Sequence, residues 1–432
     1  MYPTPVDAYG RYEPITLKNI REHPGFRRLP ESLQHELEVV AQVLPFRTNP
    51  YVLNELVDWD RAPEDPIFQL VFPQREMLDP ETYARVEAAL RGGDRDVLLE
   101  EVWRARHAMN PHPAGQLTHN VPELDGQKLA GLQHKYAETV LFFPAGGQTC
   151  HAYCTYCFRW AQFVGDRELK FESSQVDELV RYLRAHPEVT DVLVTGGDPM
   201  VMKAKLLERY LLPLLEVETL RNIRIGSKSL AYWPMRFTTD ADAAEVLRLF
   251  ERVVASGKQL AFMAHFSHPR ELETDQLEKA VRNLLATGAL VRTQAPLIRH
   301  VNDDADVWAE KWRRETRLGL VPYYMFVERD TGPKRYFEVP LAAAQRIFAD
   351  AYRQVSGLAR TVRGPSMSAF PGKVRVVGTA EVAGEKVFVL EFLQARDPAW
   401  VGRPFFAKFS EEATWLDELE PALGEKRFFF EA

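Results

Sequence analysis

Three cysteines within eight residues are the part of the sequence best suited to chemistry. They are Cys150, Cys154 and Cys157, in the run Cys150-His-Ala-Tyr-Cys154-Thr-Tyr-Cys157, and the chain has no others. A cubane cluster takes four ligands, usually thiolates, so three cysteines on one tight loop leave one iron open. A structural zinc ion would need four protein ligands, and His151 lies too close to Cys150 in sequence to complete a tetrahedron. We therefore predict a [4Fe–4S] cluster, with zinc and three unrelated buried thiols as the alternatives.

A second motif is Gly196-Gly197-Asp198, which ends a short apolar segment after the cysteines. Glycines let a backbone approach a ligand closely, and a carboxylate accepts hydrogen bonds from an ammonium group. Alone, the motif could equally be a simple turn. Its place one strand-and-helix unit after the cysteine loop favours a functional role.

The elements that must position these motifs follow from periodicity, because short segments rich in Val, Ile and Phe alternate with amphipathic segments. The predicted strands are 139–143, 191–195, 223–226, 260–264, 290–293 and 321–326, and the predicted helices are 174–185, 204–215, 240–255, 275–286, 304–318 and 341–355. Six units favour a parallel sheet that curls towards a barrel, although a doubly wound open sheet fits the same pattern. The cysteine loop follows the first strand, at the sheet edge where such folds bind ligands.

The two ends of the chain have other patterns. Helical periodicity occurs at 31–44, 80–90 and 97–108, and the segments 373–377 and 386–393 predict a β-hairpin. We therefore predict an α/β protein in three parts: a helical covering region over 1–130, a partial barrel over 131–360, and a C-terminal segment with a hairpin over 361–432.

Composition favours a small-molecule enzyme over a binding protein for nucleic acid or membrane. The 432 residues carry a net charge of −7 with both signs interleaved, so we expect no nucleic-acid partner and no membrane anchor. Three clustered cysteines exclude a disulfide framework. The first residues lack a signal-like apolar run, and no apolar stretch reaches the roughly 20 residues that span a bilayer. We expect a soluble, cytoplasmic protein.

The C-x3-C-x2-C spacing resembles the hallmark of the radical S-adenosylmethionine (SAM) superfamily. The resemblance implies that SAM binds the open iron and that Tyr156, just before the third cysteine, lies near the adenine. It also implies that Gly196, Gly197 and Asp198 receive the amino group of SAM.

The chain further resembles the lysine 2,3-aminomutase family, a likeness that covers roughly residues 47–377. The resemblance implies a partial (β/α)6 radical SAM barrel in which a pyridoxal phosphate (PLP) imine carries the migrating amino group while a 5′-deoxyadenosyl radical removes a β-hydrogen. It also implies a homo-oligomer and a flavodoxin- or ferredoxin-type reductant. The matching stretches are Asn49-Pro-Tyr-Val52, Leu132-Gln-His-Lys-Tyr136, 191–198, Arg224-Ile-Gly-Ser-Lys228, His265-Phe-Ser-His-Pro269, 293–303 and Pro322-Tyr-Tyr324.

Several roles carry over by position. Arg159 matches the arginine that binds the substrate carboxylate, for which a planar fork is well suited, although it could instead be a surface arginine. Gln294 matches a glutamine that faces SAM and the substrate.

The ends of the third and fourth strands also match. Ser227 and Lys228 fall where the third strand approaches SAM. His265 and His268 close the fourth strand, where one of the two could instead be a structural histidine with backbone partners.

The cofactor-binding segments depart from the family pattern. Lys373, after a Pro-Gly turn, is the best match to the lysine that forms the PLP imine, although fewer glycines precede it and most lysines are simply solvated. Thr139 stands where the family has an arginine that binds the PLP phosphate. Lys135 or backbone amides could offset the loss of that contact.

The substrate pocket departs most. Where lysine mutases place two aspartates, this chain has Arg329 at the first position, although Asp330 could substitute if the register slips by one residue, and Arg363 or Gly364 at the second. Two arginines in the pocket would repel a cationic side chain and accept an acidic or neutral one. The sequence thus predicts a radical SAM 2,3-aminomutase with a glutamate-like substrate. The alternatives are a PLP-independent radical SAM epimerase or dehydrogenase and a non-enzymatic iron–sulfur protein.

Overall fold

A computed structural model describes residues 9–110, 119–165 and 170–431. Its main feature is an 11-stranded sheet in which the strands lie in chain order, β3 to β13, beside a separate two-stranded hairpin of β1 and β2. The strands are β1 Glu123–Leu124, β2 Gln127–Lys128, β3 Leu132–Tyr136, β4 Thr139–Phe142, β5 Asp191–Val194, β6 Asn222–Ser227, β7 Gln259–His265, β8 Leu290–Leu297, β9 Val321–Val327, β10 Arg363–Ser368, β11 Gly372–Val382, β12 Glu385–Ala395 and β13 Pro404–Lys408.

Strands β4 to β10 are parallel, and β3 and β11 to β13 flank them in antiparallel pairing. All six predicted strands are present as β4 to β9. A doubly wound sheet reverses its strand order at a switch point. This sheet has no reversal, so that alternative is wrong.

The six helices predicted between the strands are also confirmed, with ends that shift by a few residues. Their apolar residues pack with the outward residues of β5 to β8 in one core, in which the side chains of Val192, Ile223, Leu260 and Val291 are at most 1% exposed. The helices are α1 Pro24–Arg27, α2 Glu31–Val43, α3 Pro66–Val71, α4 Pro80–Gly92, α5 Arg95–Ala108, α6 Val176–Ala185, α7 Ala204–Leu215, α8 Ser229–Tyr232, α9 Ala243–Ala255, α10 Asp275–Ala286, α11 Ala305–Arg317, α12 Lys334–Phe337 and α13 Leu341–Arg353.

The C-terminal segment extends the same sheet. The predicted hairpin is present as β11 and β12, and β13 joins it. Strand β10, which the sequence did not predict, connects this hairpin to β9 by parallel pairing. The sheet therefore crosses residue 360, and the division of the chain into three parts stays a prediction.

One face of the sheet points away from the helices, and we call it the site face. Directly opposite residues lie on the same face, and the register pairs His265 of β7 with Gln294 of β8, Gln294 with Tyr324 of β9, and Tyr324 with Arg363 of β10. Three predicted site residues thus belong to one row across four strands. Among the described residues, no helix has the length and apolar character needed to cross a membrane.

Candidate active site

The cysteine loop follows β4 and carries three free thiols, none in a disulfide. In the described parts of the chain, no three His, Cys, Asp or Glu side chains converge closely enough to hold a single metal ion. A zinc site needs such convergence. Each thiolate of a cubane binds a different iron atom, so the sulfurs of a cluster need not meet at one point. The three free thiols on one loop are compatible with the predicted cluster.

The thiols lie in a desolvated environment. Burial raises the pKa of Cys150 well above its ordinary value, and Asp198 and the other two cysteines raise it further. The Cys154 Sγ lies 3.7 Å from the Tyr232 hydroxyl oxygen. A raised pKa means that forming the thiolate is unfavourable in this environment. Iron binds the thiolate, so the positive charge of a metal centre would offset this unfavourable ionisation.

Gly196 and Gly197 dock the end of β5 onto the start of the cysteine loop. A Cβ at Gly197 would lie 2.6 Å from both the amide nitrogen and the carbonyl oxygen of Thr149, and one at Gly196 would lie 2.2 Å from Gln148 Nε2. We expected these glycines to admit a ligand. In the structure both glycines closely approach the chain's own residues just before Cys150, and their contact with a ligand stays a prediction.

Asp198, just after the carboxyl end of β5, accepts several hydrogen bonds from the chain. Its carboxylate accepts from the Met200 amide, the Ser227 hydroxyl and the Lys228 amide, each at 2.9 Å. Burial raises its pKa to about 6. Hydrogen bonds from Met200, Ser227, Lys228 and Ser229 oppose this shift.

Lys228 is committed to a buried ion pair. Its Nζ lies 2.6 Å from Glu271 Oε1, with side chains 10% and 0% exposed, and 3.2 Å from the Ser267 hydroxyl. Glu271 also accepts from the amides of Ser267 and His268. The predicted SAM-binding lysine thus joins the ends of β6 and β7.

Tyr156 links the cysteine loop to the fourth parallel strand, β7. Its hydroxyl lies 3.1 Å from His265 Nε2 and 3.0 Å from the Ser267 hydroxyl. Burial lowers the pKa of His265 well below its ordinary value, so this ring is neutral. His268 instead accepts from the Arg270 amide at 3.2 Å, which makes it the histidine of the pair with a backbone partner.

Arg159 is buried at 7% exposure, so the surface alternative is wrong. Its Nη2 donates to Gln148 Oε1 at 3.4 Å, the guanidinium lies 4.3 Å from the centre of the Phe143 ring, and Nε has no partner. Burial lowers its pKa to about 10. Gln294 is half-buried, and its side-chain amide makes no hydrogen bond within the described residues. Both retain capacity for a ligand.

Lys373 lies on β11 with its Nζ 4.1 Å from the centre of the Tyr324 ring and 5.4 Å from that of Phe326. It makes no hydrogen bond with any described residue. Burial, together with Arg224 and Arg363, lowers its pKa to about 8. An amine that loses its proton near neutral pH and has no partner fits the chemistry of a lysine that bonds PLP.

Further cations lie next to Lys373. Burial, Arg396, Arg329 and Lys373 together lower the pKa of Lys135 to about 7. Lys135 donates to the Ala369 carbonyl, and Arg396 donates to the Phe370 carbonyl at 2.8 Å. These residues fit an anionic group such as a phosphate, whereas Thr139 offers no charge.

The two pocket arginines lie at different levels of the sheet. Arg329 follows the end of β9, with its guanidinium 5.5 Å from the Phe158 ring centre and its Nε 3.5 Å from Asp330. Arg363 starts β10 and is exposed. Its partner in the sheet is Tyr324, which precedes Arg329 by five residues on β9 and the loop that follows it. Five strand residues span roughly 16 Å. Gly364 packs against β9, where a Cβ would lie 2.6 Å from the Met325 carbonyl.

Glu328, which sequence reasoning missed, is a buried acid at the end of β9. It is 6% exposed and makes no hydrogen bond or ion pair with any described residue. Burial raises its pKa well above the ordinary value, and Arg329 is the one group that lowers it. Its charge also contributes to raising the pKa of Cys157, after burial and Cys154. A carboxyl next to an arginine carried no signal in the sequence.

One relative matches this chain over nearly its whole length, and two others match about half of it. It is 33% identical over 409 residues to a putative L-lysine 2,3-aminomutase of Aquifex aeolicus, which covers 95% of this chain and 96% of that one. It is 27% identical to the L-lysine 2,3-aminomutase of Clostridium subterminale over 52% of this chain and 51% of that one. The Escherichia coli enzyme of the same name is 28% identical over 54% of this chain and 66% of that one.

Solved structures and family models add little. SuiB of Streptococcus suis aligns with a TM-score of 0.38 at 13% identity, over 63% of this chain and 56% of that one. A radical SAM methyltransferase of Sphaerobacter thermophilus aligns with a TM-score of 0.38 at 18% identity, over 56% and 70%. Likenesses this weak carry no argument. No family model matches.

A three-cysteine loop at the carboxyl edge of a mostly parallel sheet, docked by a Gly-Gly-Asp turn, defines a radical SAM enzyme. The identity and coverage of its relatives show that the chain belongs to the L-lysine 2,3-aminomutase family. It is therefore an isomerase, and the cofactors of its family are a [4Fe–4S] cluster, SAM and PLP. The alternative of a non-enzymatic iron–sulfur protein is wrong.

Proposed function

We propose that the protein is a PLP-dependent aminomutase that moves the α-amino group of an amino acid to the neighbouring carbon. The cluster with SAM would supply a carbon radical, and PLP would carry the migrating nitrogen. The residues of the chain hold these groups, orient the substrate and keep water out.

The observation that carries the proposal is a continuous row of side chains on the site face. Tyr156 of the cysteine loop meets His265 at 3.1 Å. His265, Gln294 and Tyr324 are directly opposite one another on three strands, and the Tyr324 ring lies under the Lys373 Nζ at 4.1 Å. The row supports one site that holds both a cluster and a covalently bound PLP.

The other residues have proposed roles along this row. Cys150, Cys154 and Cys157 would hold the cluster, and Asp198 would accept the amino group of SAM. Arg159, buried with an unpartnered Nε, would bind the substrate carboxylate. Lys135 and Arg396 would face the phosphate of PLP.

We propose that the sheet curls into a partial (β/α)6 barrel around this row. The sequential strand order supports this, because right-handed crossovers in one direction place all helices on one face. The edge strand β3 also contacts β12, and Lys135 of β3 donates to the Ala369 carbonyl after β10. These contacts bring the first strands close to the C-terminal strands.

For the substrate we propose an acidic, glutamate-like side chain, which the Arg329 guanidinium would bind at the end of β9, next to the Phe158 ring. Arg363 gives this proposal no support, because it is exposed lower on the sheet. A lysine-like side chain is the second candidate, because the buried Glu328 lacks a partner and would attract a cation. The relatives are named for L-lysine.

The experiment is anaerobic reconstitution with iron, sulfide, SAM, PLP and dithionite, followed by mass spectrometry against a panel of α-amino acids. We expect 5′-deoxyadenosine and a β-amino acid from glutamate. Arg329→Gln should remove turnover of an acidic substrate, whereas Glu328→Gln should remove turnover of lysine. β-Lysine as the product, with no turnover of any acidic amino acid, would end the acidic proposal.

Borohydride reduction tests the PLP proposal separately. We expect a pyridoxyl adduct on Lys373 and none in Lys373→Ala, while Lys386→Ala, a change on the partner strand β12, keeps the adduct. Active enzyme without bound PLP would favour a PLP-independent epimerase or dehydrogenase. The cytoplasmic location, the oligomer and the flavodoxin- or ferredoxin-type reductant stay predictions.

A further inference from the structure

The Asn49-Pro-Tyr-Val52 stretch of the N-terminal region has no role in the chemistry above, yet its asparagine is fully buried, at 0% exposure. Its Oδ1 accepts from the Val52 amide at 3.1 Å and so holds the asparagine's own turn in place. Its Nδ2 donates to the carbonyls of His151 at 3.2 Å and Tyr232 at 3.0 Å. All three side-chain hydrogen bonds are therefore to backbone.

One carbonyl belongs to the cysteine loop, and the other belongs to α8, which contacts Cys154. His151 lies inside the cysteine loop, and Tyr232 ends α8, with its hydroxyl 3.7 Å from the Cys154 Sγ. An amide nitrogen carries two hydrogens, so Asn49 ties the loop to α8 through one atom. Among uncharged side chains of this size, only the asparagine amide donates two hydrogen bonds from one nitrogen atom.

Arg47 acts on the first cysteine in the same way. Its Nη1 donates to the Thr149 hydroxyl at 2.7 Å, and its own carbonyl accepts from the Tyr153 amide at 2.8 Å. We call Arg47 and Asn49 the N-terminal clamp. The clamp thus contacts the residues on both sides of Cys150 and the residue just before Cys154.

We propose that the N-terminal clamp positions the cysteine loop for cluster binding, so that the N-terminal region forms part of the cluster site. The loop contains little secondary structure of its own, and a ligand loop held only by its ends would lose its cluster readily. Groups that orient metal ligands from outside typically contribute about 10–100-fold to metal affinity. The proposal concerns the cluster alone and stands even if PLP is not bound.

The test is Asn49→Asp, which keeps the shape and the Oδ1 acceptor but removes both donated hydrogen bonds. The reconstituted full-length protein is challenged anaerobically with an iron chelator, and cluster loss is timed. We expect loss at least about tenfold faster than in the unsubstituted protein. We also expect a weaker change in the electron paramagnetic resonance spectrum of the reduced cluster when SAM is added, with unchanged circular dichroism. Asn54→Asp, the same change at an exposed position, is the control.

Equal cluster retention and equal spectra in Asn49→Asp and Asn54→Asp would overturn the proposal. If Asn49→Asp does not fold, Arg47→Met decides, because it removes the hydrogen bond to Thr149 and the guanidinium contact with the Tyr153 ring while keeping the backbone bond to Tyr153. Faster cluster loss in folded Arg47→Met supports the clamp, and retention equal to that of the unsubstituted protein contradicts it.

Discussion

Gly197→Ala should separate the fold from the cluster site. An added Cβ would lie 2.6 Å from two backbone atoms of Thr149, and real Cβ atoms essentially never approach closer than 3.0 Å. The end of β5 and the loop must then part by at least 0.4 Å, which is 3.0 minus 2.6. Thr149 directly precedes Cys150, so this displacement passes to a cluster ligand.

The size of the displacement decides the outcome. Metal–ligand distances hold to within about 0.2 Å, so a shift of 0.4 Å disturbs iron binding. Overpacking of this kind costs about 1–3 kcal/mol, which a chain of 432 residues tolerates without unfolding. We expect normal circular dichroism, reduced iron and sulfide per chain, and little 5′-deoxyadenosine from SAM and dithionite.

The control is Gly378→Ala in β11, where the nearest atom to an added Cβ is Gln345 Nε2 at 3.8 Å. It should retain both cluster and SAM cleavage. Full iron content and full SAM cleavage in Gly197→Ala would refute the reasoning that this glycine fixes the cysteine loop.

Three further predictions concern buried charges and are measured by urea unfolding of the apoprotein. Lys228→Met should destabilise the fold by about 3–5 kcal/mol, because it leaves Glu271 charged and unpaired. Adding Glu271→Gln to this variant should recover part of the lost stability. If the two substitutions instead destabilise the fold additively, the ion pair is contradicted. Burial lowers the pKa of His268 to about 3, so the folded state binds fewer protons than the unfolded state and stability falls as pH drops below about 6.5. His268→Asn should therefore reduce the stability difference between pH 7 and pH 5 by at most about 2 kcal/mol, and an unchanged difference would contradict this. Burial raises the pKa of Glu328, so stability falls as pH rises from its unfolded pKa through its folded pKa, and Glu328→Gln should lose less stability between pH 5 and pH 8 than the unsubstituted chain.

The six central strands and their helices could be predicted because each has a clear period and is bounded by turn residues. Three strands of the same sheet, β3, β10 and β13, were not predicted. β3, Leu132-Gln-His-Lys-Tyr136, is largely polar, and β10, Arg363-Gly-Pro-Ser-Met-Ser368, contains residues that normally interrupt strands. Each is recognisable only through the neighbour with which it pairs.

The cluster and SAM motifs could also be predicted, since their spacing is local. The position of the pocket residues along the strand direction could not be predicted. The pairing register shifts between β8 and β9 and again between β9 and β10. These irregularities separate Arg363 from Arg329, and no sequence pattern marks them. The partner of Lys228 was equally hidden, because Glu271 lies on a turn that follows another strand.

The most direct test of the account is the fate of SAM on the anaerobically reconstituted protein. With dithionite, PLP and an amino-acid substrate, we expect 5′-deoxyadenosine together with a β-amino acid, and loss of both products when Cys154 is replaced by alanine. A protein that carries zinc without inorganic sulfide, or that leaves SAM intact under reducing conditions, would contradict it.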